Sequence, residues 1–292
     1  MQIAIASVAV ARRPRAFVRV SGPQAADYLN RMVSNDVVAL APGASCEALL
    51  LTARARVIAT LRVVRRGEDD FLLLTEPELG EVVRSHLARF RFAARCEIEP
   101  EGHESWLLLG PAAGQEEGAL AVANDDYGVP CVELLDAAPA GSLPRLPDEE
   151  VERLRIEAGT PRFGKEIDER VLPAEAGLDE RAISFTKGCY PGQEPVARLH
   201  FRGHANRELR VLRIAMGEPP SSGAEVLHEG KAVGRVTSAA ADGVGVVALA
   251  YVRVEVPLDA EVSVNGAAAT MARPARPAPS EKPECAREDS NL

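Results

Sequence analysis

Cys189 stands where a thiol could do chemistry. It lies in Lys187-Gly188-Cys189-Tyr190-Pro191-Gly192-Gln193-Glu194, between two glycines that allow the backbone to turn sharply. Such turns would present the thiol at the rim of a cavity. A cysteine reacts or binds metal as the thiolate, and nearby positive charge favours that form. Lys187, Arg198 and Arg202 supply such charge. Only four of the 34 basic residues are lysines, which singles Lys187 out. The packing alternative has Cys189 as a small buried hydrophobe, with Glu194 neutralising Lys187 in a structural ion pair. His200 and His204 invite two further readings, a Cys–His nucleophile or a metal-binding pair at i, i+4. Gly203 between them argues against the continuous helix the metal pair needs.

Composition narrows the classes of function. A chain of 292 residues suits one large domain or two to three compact ones. Apolar residues at 46% and charged residues at 26% are ordinary for a globular fold. The net charge of -9 argues against general affinity for nucleic acid or anionic membranes, since both need a positive footprint. Aromatic residues at 4% are too few for a wall of rings stacking on single strands. Cys46, Cys96, Cys131, Cys189 and Cys285 form no CxxC pair and no zinc or cluster spacing, so no metal site is expected. An odd, scattered set of thiols fits a reducing cytosol, and a cytoplasmic location is expected. The N-terminal MQIAIASVAV reads as a strand, with a secretory signal as the alternative; it lacks a basic stretch, and no apolar run approaches a membrane span.

The elements that would position the motif follow from periodicity. Ala16 to Val20 alternates as a strand, and Ser21-Gly22-Pro23 is expected to cap a helix carrying Ala25, Ala26, Tyr28, Leu29 and Met32. A polar turn at Ser34-Asn35-Asp36 leads to a short apolar run, Val37 to Leu40. Val57 to Val64 and Phe71 to Leu74 flank a hairpin turn. Glu78 to Phe92 has helical spacing, with His86 beside the apolar face in a packing role. Short strands follow at Ile98, Trp106 to Leu109 and Cys131 to Leu135, then a Pro-rich connector at 139–147. A helix starts at Asp148 and stops at Gly159. After Arg207 short β-runs separated by Gly, Pro and Ser suggest a small barrel or sandwich. The last twenty residues form a polar, Pro-rich stretch expected to be disordered.

KGCYPGQE followed by EPVARLHFRG resembles the signature of the YgfZ family, and PRFGKEIDERVLPAEAGL is similar to the equivalent stretch of the wider glycine-cleavage T-protein superfamily. FVRVSGPQAADYLNRMVSNDV resembles that superfamily's opening strand and helix. The resemblance implies an α+β fold: two ferredoxin-like units, the first discontinuous, and a C-terminal β-barrel around a central opening that holds tetrahydrofolate or a derivative. The first unit would comprise 1–45 and 145–205, the second 46–144, the barrel 206–272 and the tail 273–292. Folate ends in an anionic glutamate, so a local basic lip is needed; Arg155, Arg162, Lys187, Arg198 and Arg202 are its candidates.

Aminomethyltransferases of this superfamily carry paired aspartates where this chain reads Ala59-Thr60. Without them aminomethyl transfer lacks the group that would stabilise developing positive charge. The enzyme's Tyr-Thr-Gly-Glu-like segment survives only faintly, around Asp126-Tyr127-Gly128. The expectation is therefore a folate-binding accessory protein for assembly or repair of iron–sulfur proteins, indirectly supporting tRNA modification, with Cys189 as reactive thiol. Iron–sulfur clients or assembly factors would be its partners. No stably bound cluster, direct nucleic-acid contact or membrane contact is expected. The alternative is a folate-dependent one-carbon enzyme acting on a methylated amine.

Overall fold

A computed structural model describes residues 7–111, 120–137, 143–215 and 217–275. The N-terminal part runs β1 (Ala9–Arg12), β2 (Ala16–Ser21), α1 (Ala25–Met32), β3 (Ser45–Leu51), β4 (Val57–Arg65), β5 (Asp70–Thr75), α2 (Gly80–Phe90) and β6 (Glu97–Glu101). Then follow β7 (Ser105–Leu109), β8 (Leu120–Asn124), β9 (Cys131–Leu135), α3 (Asp148–Ala158), α4 (Asp179–Ala182) and α5 (Gln193–Arg202).

Five strands pair antiparallel in the order β3-β4-β5-β2-β6. Val57, Ala59, Leu61 and Val63 alternate into the protein along β4, the period of two that a pleated strand imposes. Ala25, Tyr28, Leu29 and Met32 form the buried stripe of α1, and with Val83 and Leu87 of α2 they cover one face of the sheet. Burial of each large aliphatic side chain there contributes about 1.5–3 kcal/mol. The other face sets Phe17, Leu72 and Leu74 against Val122 and Leu135 of a second antiparallel sheet, ordered β1-β7-β9-β8. Helix α3 packs Leu154 onto that second sheet.

The pairing corrects the expected division of the chain. β2 and β3 lie on either side of residue 45 yet belong to one sheet, drawn from the contiguous stretch Ala16 to Glu101. The interrupted unit is the other one, which takes β1 from the N-terminal end and α3 from beyond β9. Local period could not reveal this, because strand pairing at long separation decides it.

The C-terminal strands β10 (Arg207–Ile214), β11 (Glu225–His228), β12 (Lys231–Ala241), β13 (Val246–Arg253), β14 (Val262–Val264) and β15 (Ala267–Ala272) close into a barrel, β10-β13-β12-β11-β14-β15. Leu212, Val236, Ala250 and Val252 fill its interior. Leu209, Val211, Leu249 and Tyr251 face outward into a core shared with Leu49, Leu51, Tyr190 and Val196. Burial on both faces explains the near-continuous apolar run of β13.

Val37 to Leu40, the short apolar run, pairs in no sheet, because Asp36 Oδ1 accepts from the Val38 and Ala39 N–H groups that a sheet would need. Two local expectations change. The helix expected over 78–92 opens with a 3-10 turn at Pro77–Leu79 and becomes α-helical at Gly80. The start of α1 has Gln24 as its capping position, with no side-chain cap. Part of the Pro-rich connector and residues 276–292, including Cys285, lie outside the described residues. Within the described start of that tail, Pro274 packs directly on Gly159, whose φ of +79 ends α3 in the left-handed region.

Candidate functional site

Two regions carry the candidate residues, and they differ in chemistry. The KGCYPGQE segment turns across the tip of the β3–β4 hairpin. Gly192 has φ +83, and a Cβ there would come within 2.6 Å of the Thr52 carbonyl oxygen and 3.2 Å of the Ala55 Cα. Only glycine fits both the backbone angle and the close approach. Gly188 is different: its φ is not positive and an added Cβ would meet nothing within 4 Å. Tyr190 is buried in the shared core, and burial pushes its hydroxyl up to about 12. From Gln193 the chain enters α5, whose Glu194 and Arg198 pair at 3.0 Å with both side chains exposed.

Cys189 is exposed, while Cys46 is half-buried and Cys96 and Cys131 are buried. Burial pushes the Cys46 thiol up to about 12 and Cys131 well above its ordinary value, which makes both poor nucleophiles at neutral pH. Cys189 lines a groove of about 830 Å³ together with Leu172, Tyr190, Gln193, Glu194, Arg198 and Arg202. The two arginines therefore share the groove with the thiol, and neither lines the central opening.

Lys187 reaches the backbone of another element. Its ammonium donates to the carbonyls of Asn30, Val33 (2.8 Å) and Asn35 (2.8 Å), where α1 ends. Helix C-termini leave carbonyls unpaired and carry partial negative charge, so a cation there satisfies both needs. Burial lowers the ammonium to about 8, opposed chiefly by the Asp36 carboxylate. Lys187 is a clamp that ties the motif to α1. Its neighbours continue the latch: Ser34 Oγ donates to the Ala182 carbonyl at 2.6 Å and accepts from the Leu49 N–H at 2.8 Å. Asn35 Nδ2 donates to the Glu47 carbonyl at 2.7 Å and the Arg181 carbonyl at 3.1 Å.

The two histidines of the motif region do not share a helix. α5 ends at Arg202, so His204 lies beyond the helix. His200 stacks on Phe185 at 4.0 Å between centroids, with Asp179 3.3 Å from its Nδ1. His86 packs beside Phe90 and burial lowers its pKa, in keeping with the packing role expected for it.

The second region is the opening between the two sheets, α3 and the 160–162 turn. Its inner recess, about 70 Å³, is lined by Arg13, Arg15, Thr60, Arg62, Glu76 and Asp126 among others. A wider space of about 540 Å³ adjoins it, and Arg13, Tyr127, Arg155 and Arg162 line both. Arg15 holds Glu133 through two 2.9 Å bonds, with Ser105 Oγ donating to the same carboxylate at 2.6 Å. Burial alone would raise Glu133, but the Arg15 guanidinium outweighs it and holds the carboxyl at about 2. Burial also opposes ionisation of Glu76, yet Arg13, at 2.5 and 3.1 Å, keeps its pKa low.

Arg155 and Arg162, expected at a folate lip, both reach this opening. The donors of Arg155 are engaged by Glu152, Glu166 at 2.8 Å, the Thr160 carbonyl and Ser238, so it braces α3 against the barrel. Arg162 is one-third exposed and lies 3.3 Å from Glu76. Arg13, Arg15, Arg62, Glu76 and Glu133 were not singled out from sequence. One signal was present: Glu133 is a carboxylate inside the apolar strand CVELL, and such a residue must be paired.

The CAF17 C-terminal beta-barrel domain family matches residues 206–278. A tRNA-modifying protein YgfZ from Serratia proteamaculans is 30% identical over 242 residues, covering 72% of each chain. The chain belongs to the YgfZ family. A second YgfZ relative, from Edwardsiella ictaluri, is 30% identical over 67% of this chain and 68% of its own. The glycine cleavage system aminomethyltransferase T of Bartonella henselae superposes with TM-score 0.78 at 20% identity, covering 92% of this chain and 86% of that one. YgfZ-family membership and the aminomethyltransferase fold thus agree with the closed barrel and the two α+β sheets. No helix among the described residues is long and apolar enough to cross a membrane.

Proposed function

We propose that this chain is a tetrahydrofolate-binding accessory protein for the assembly or repair of iron–sulfur proteins, and that it supports tRNA modification through those clients. The observation that carries this reading is the contrast among its thiols: Cys189 is exposed on a groove with two arginines, whereas the other described cysteines are half-buried or buried. One thiolate cannot hold a cluster alone, so contact with iron or sulfur would be shared with a client protein or assembly factor, and no cluster stays bound. We read the chain as cytoplasmic and without direct contacts to nucleic acid or membrane.

Tetrahydrofolate would occupy the central opening. The fit rests on two features of this chain. The wider space falls in the size range of small-molecule sites. The opening is also rich in donors, and Arg13 Nε is buried with no acceptor among the described residues. Arg162, part-exposed, would face an anionic portion of the ligand, and Tyr127 would supply an apolar wall. Bound folate would bring a one-carbon carrier; the chain's own part is to hold and orient it and to present Cys189 on a separate face.

Calorimetric titration with tetrahydrofolate tests the ligand. Heat with saturation is expected, and its absence would remove folate from the account. Cys189→Ala, expressed in cells lacking the native protein, tests the thiol. The activities of cluster-dependent enzymes should fall; unchanged activities would overturn the role.

One observation favours the one-carbon enzyme as second reading. Glu47, Glu76 and Asp126 line the recess beside Thr60, supplying carboxylates from other elements where the aspartate pair is missing. Against it, each has an arginine within ion-pair distance, so their charge is already balanced. Incubation with tetrahydrofolate and a panel of methylated amines decides: the accessory reading expects no methylenetetrahydrofolate.

A further inference from the structure

The end of α2 carries side chains that its own fold does not use. Residues 82–95 hold Arg84, Arg89, Arg91 and Arg95 and no aspartate or glutamate, in a protein of net charge -9. Arg84 pairs with Glu81, but Arg89, Arg91 and Arg95 are exposed and have no carboxylate within ion-pair distance among the described residues. Phe90 and Phe92 stand between them in the chain, edge to face with centroids 6.4 Å apart, and the Arg89 guanidinium lies 5.6 Å from the Phe90 centroid. Val82 and His86 extend the stripe along α2 at steps of four residues, with His86 packed on Phe90. Phe92 is the most informative of them. It follows the helix cap Arg91 with φ +47, a left-handed position where helices usually end on glycine or asparagine. A side chain makes that backbone costly, and a ring 84% exposed gains little from burial in return. Strain that neither the helix end nor the core offsets points to a contact outside the chain.

We propose that this end of α2 is a docking surface for a short acidic segment of a partner protein that carries a large apolar side chain. The rings take the apolar side chain, and the guanidiniums meet the flanking carboxylates through paired donors. Negative charge bounds the arginines on both sides: Glu81 stands at the start of α2, and exposed Glu97 and Glu99 follow Arg95 on β6. A nucleic-acid strand or an anionic bilayer extends past such a footprint and meets those carboxylates and the acidic remainder of the chain. A segment of a few residues does not. The bounded patch therefore favours a short peptide over an extended polyanion. No residue from 82 to 99 lines the Cys189 groove or the central opening, so the surface stands whether or not folate binds.

The probe is a fluorescein-labelled peptide of twelve residues repeating glutamate-glutamate-phenylalanine, titrated with the full chain and followed by fluorescence anisotropy. Saturable binding is expected, weakening as salt is raised. The same peptide with glutamine for glutamate, or serine for phenylalanine, should bind at least tenfold more weakly. Phe92→Gly, and Arg89→Glu combined with Arg95→Glu, should each lose at least tenfold, while Phe201→Ser, which removes an exposed ring from α5, should bind as the wild type does. Glycine suits the left-handed backbone, so the urea midpoint of Phe92→Gly should equal or exceed that of the wild type. A lower midpoint would show that the ring serves the fold and would overturn the proposal. So would the absence of saturable binding, or an affinity unchanged in either variant. Tighter binding of a twelve-nucleotide thymidine strand or of phosphatidylserine vesicles, lost in the same variants, would assign the surface to a polyanion and overturn the peptide.

Discussion

The Cys189 groove and the central opening are both lined by arginines, but they use them differently. In the groove Arg198 is exposed and, among the described residues, pairs only with exposed Glu194 four residues earlier. In the opening Arg15 is locked to Glu133, with side chains 8% and 0% exposed. An exposed pair is screened by water and adds little, whereas a buried pair becomes costly as soon as one partner is removed. The difference separates a face that can meet a partner from a frame that must not move. Lys187 belongs with the frame although it is two residues from the thiol.

The comparison breaks if the frame proves dispensable. Arg15→Met leaves Glu133 charged and buried, and should cost about 3–5 kcal/mol in urea unfolding. A loss under about 1 kcal/mol would mean that water reaches the pair. The same pair sets an acid limit. Glu133 is depressed from 4.5 to about 2 in the folded state, so its contribution is full above pH 4.5 and fades as pH falls toward 2. Glu133→Gln should flatten that part of the stability curve.

Gly192→Ala should be the next largest effect, about 3 kcal/mol, from left-handed backbone and the clash with Thr52. Gly188→Ala, with open space around it, should change the urea midpoint hardly at all. Equal effects at the two positions would show that the hairpin contact is not what demands Gly192.

Lys187→Met removes a cation from three carbonyls and should cost about 2 kcal/mol. It should leave the pH dependence of Cys189 alkylation unchanged; a shift in that profile would restore Lys187 as the thiol's partner. Burial lowers Lys187 from 10.5 to about 8, so the folded state holds fewer protons than the unfolded chain in that window. Wild-type stability should therefore gain between pH 8 and 10.5 relative to the Met variant. At the small end, Arg198→Ala should leave stability unchanged, because its partner is exposed.

The groove was legible in sequence because its parts are local. KGCYPGQE and the arginines after it lie within sixteen residues, and Gly192 announces its own turn. The barrel was legible for the same reason, as short strands in succession pair with near neighbours. The central opening was not. Arg15 and Glu133 are 118 residues apart, and Arg13 and Glu76 are 63 apart. Nothing in local period joins them, and the pairing of β1 with β7, of β7 with β9 and of β2 with β5 brings them together. That Ala59-Thr60 carries no carboxylate is plain in the chain, but the carboxylates that reach the same recess from β3, the end of β5 and the β8–β9 turn could not be read there.

The central claim is that ligand holding and thiol presentation occupy separate faces. Titration of tetrahydrofolate into wild type, Cys189→Ala and Arg162→Ala, each shown to be folded, tests it most directly. Cys189→Ala should bind as the wild type does, and Arg162→Ala should bind at least tenfold more weakly. Loss of binding in Cys189→Ala with Arg162→Ala unaffected would contradict the claim and move the folate site to the groove.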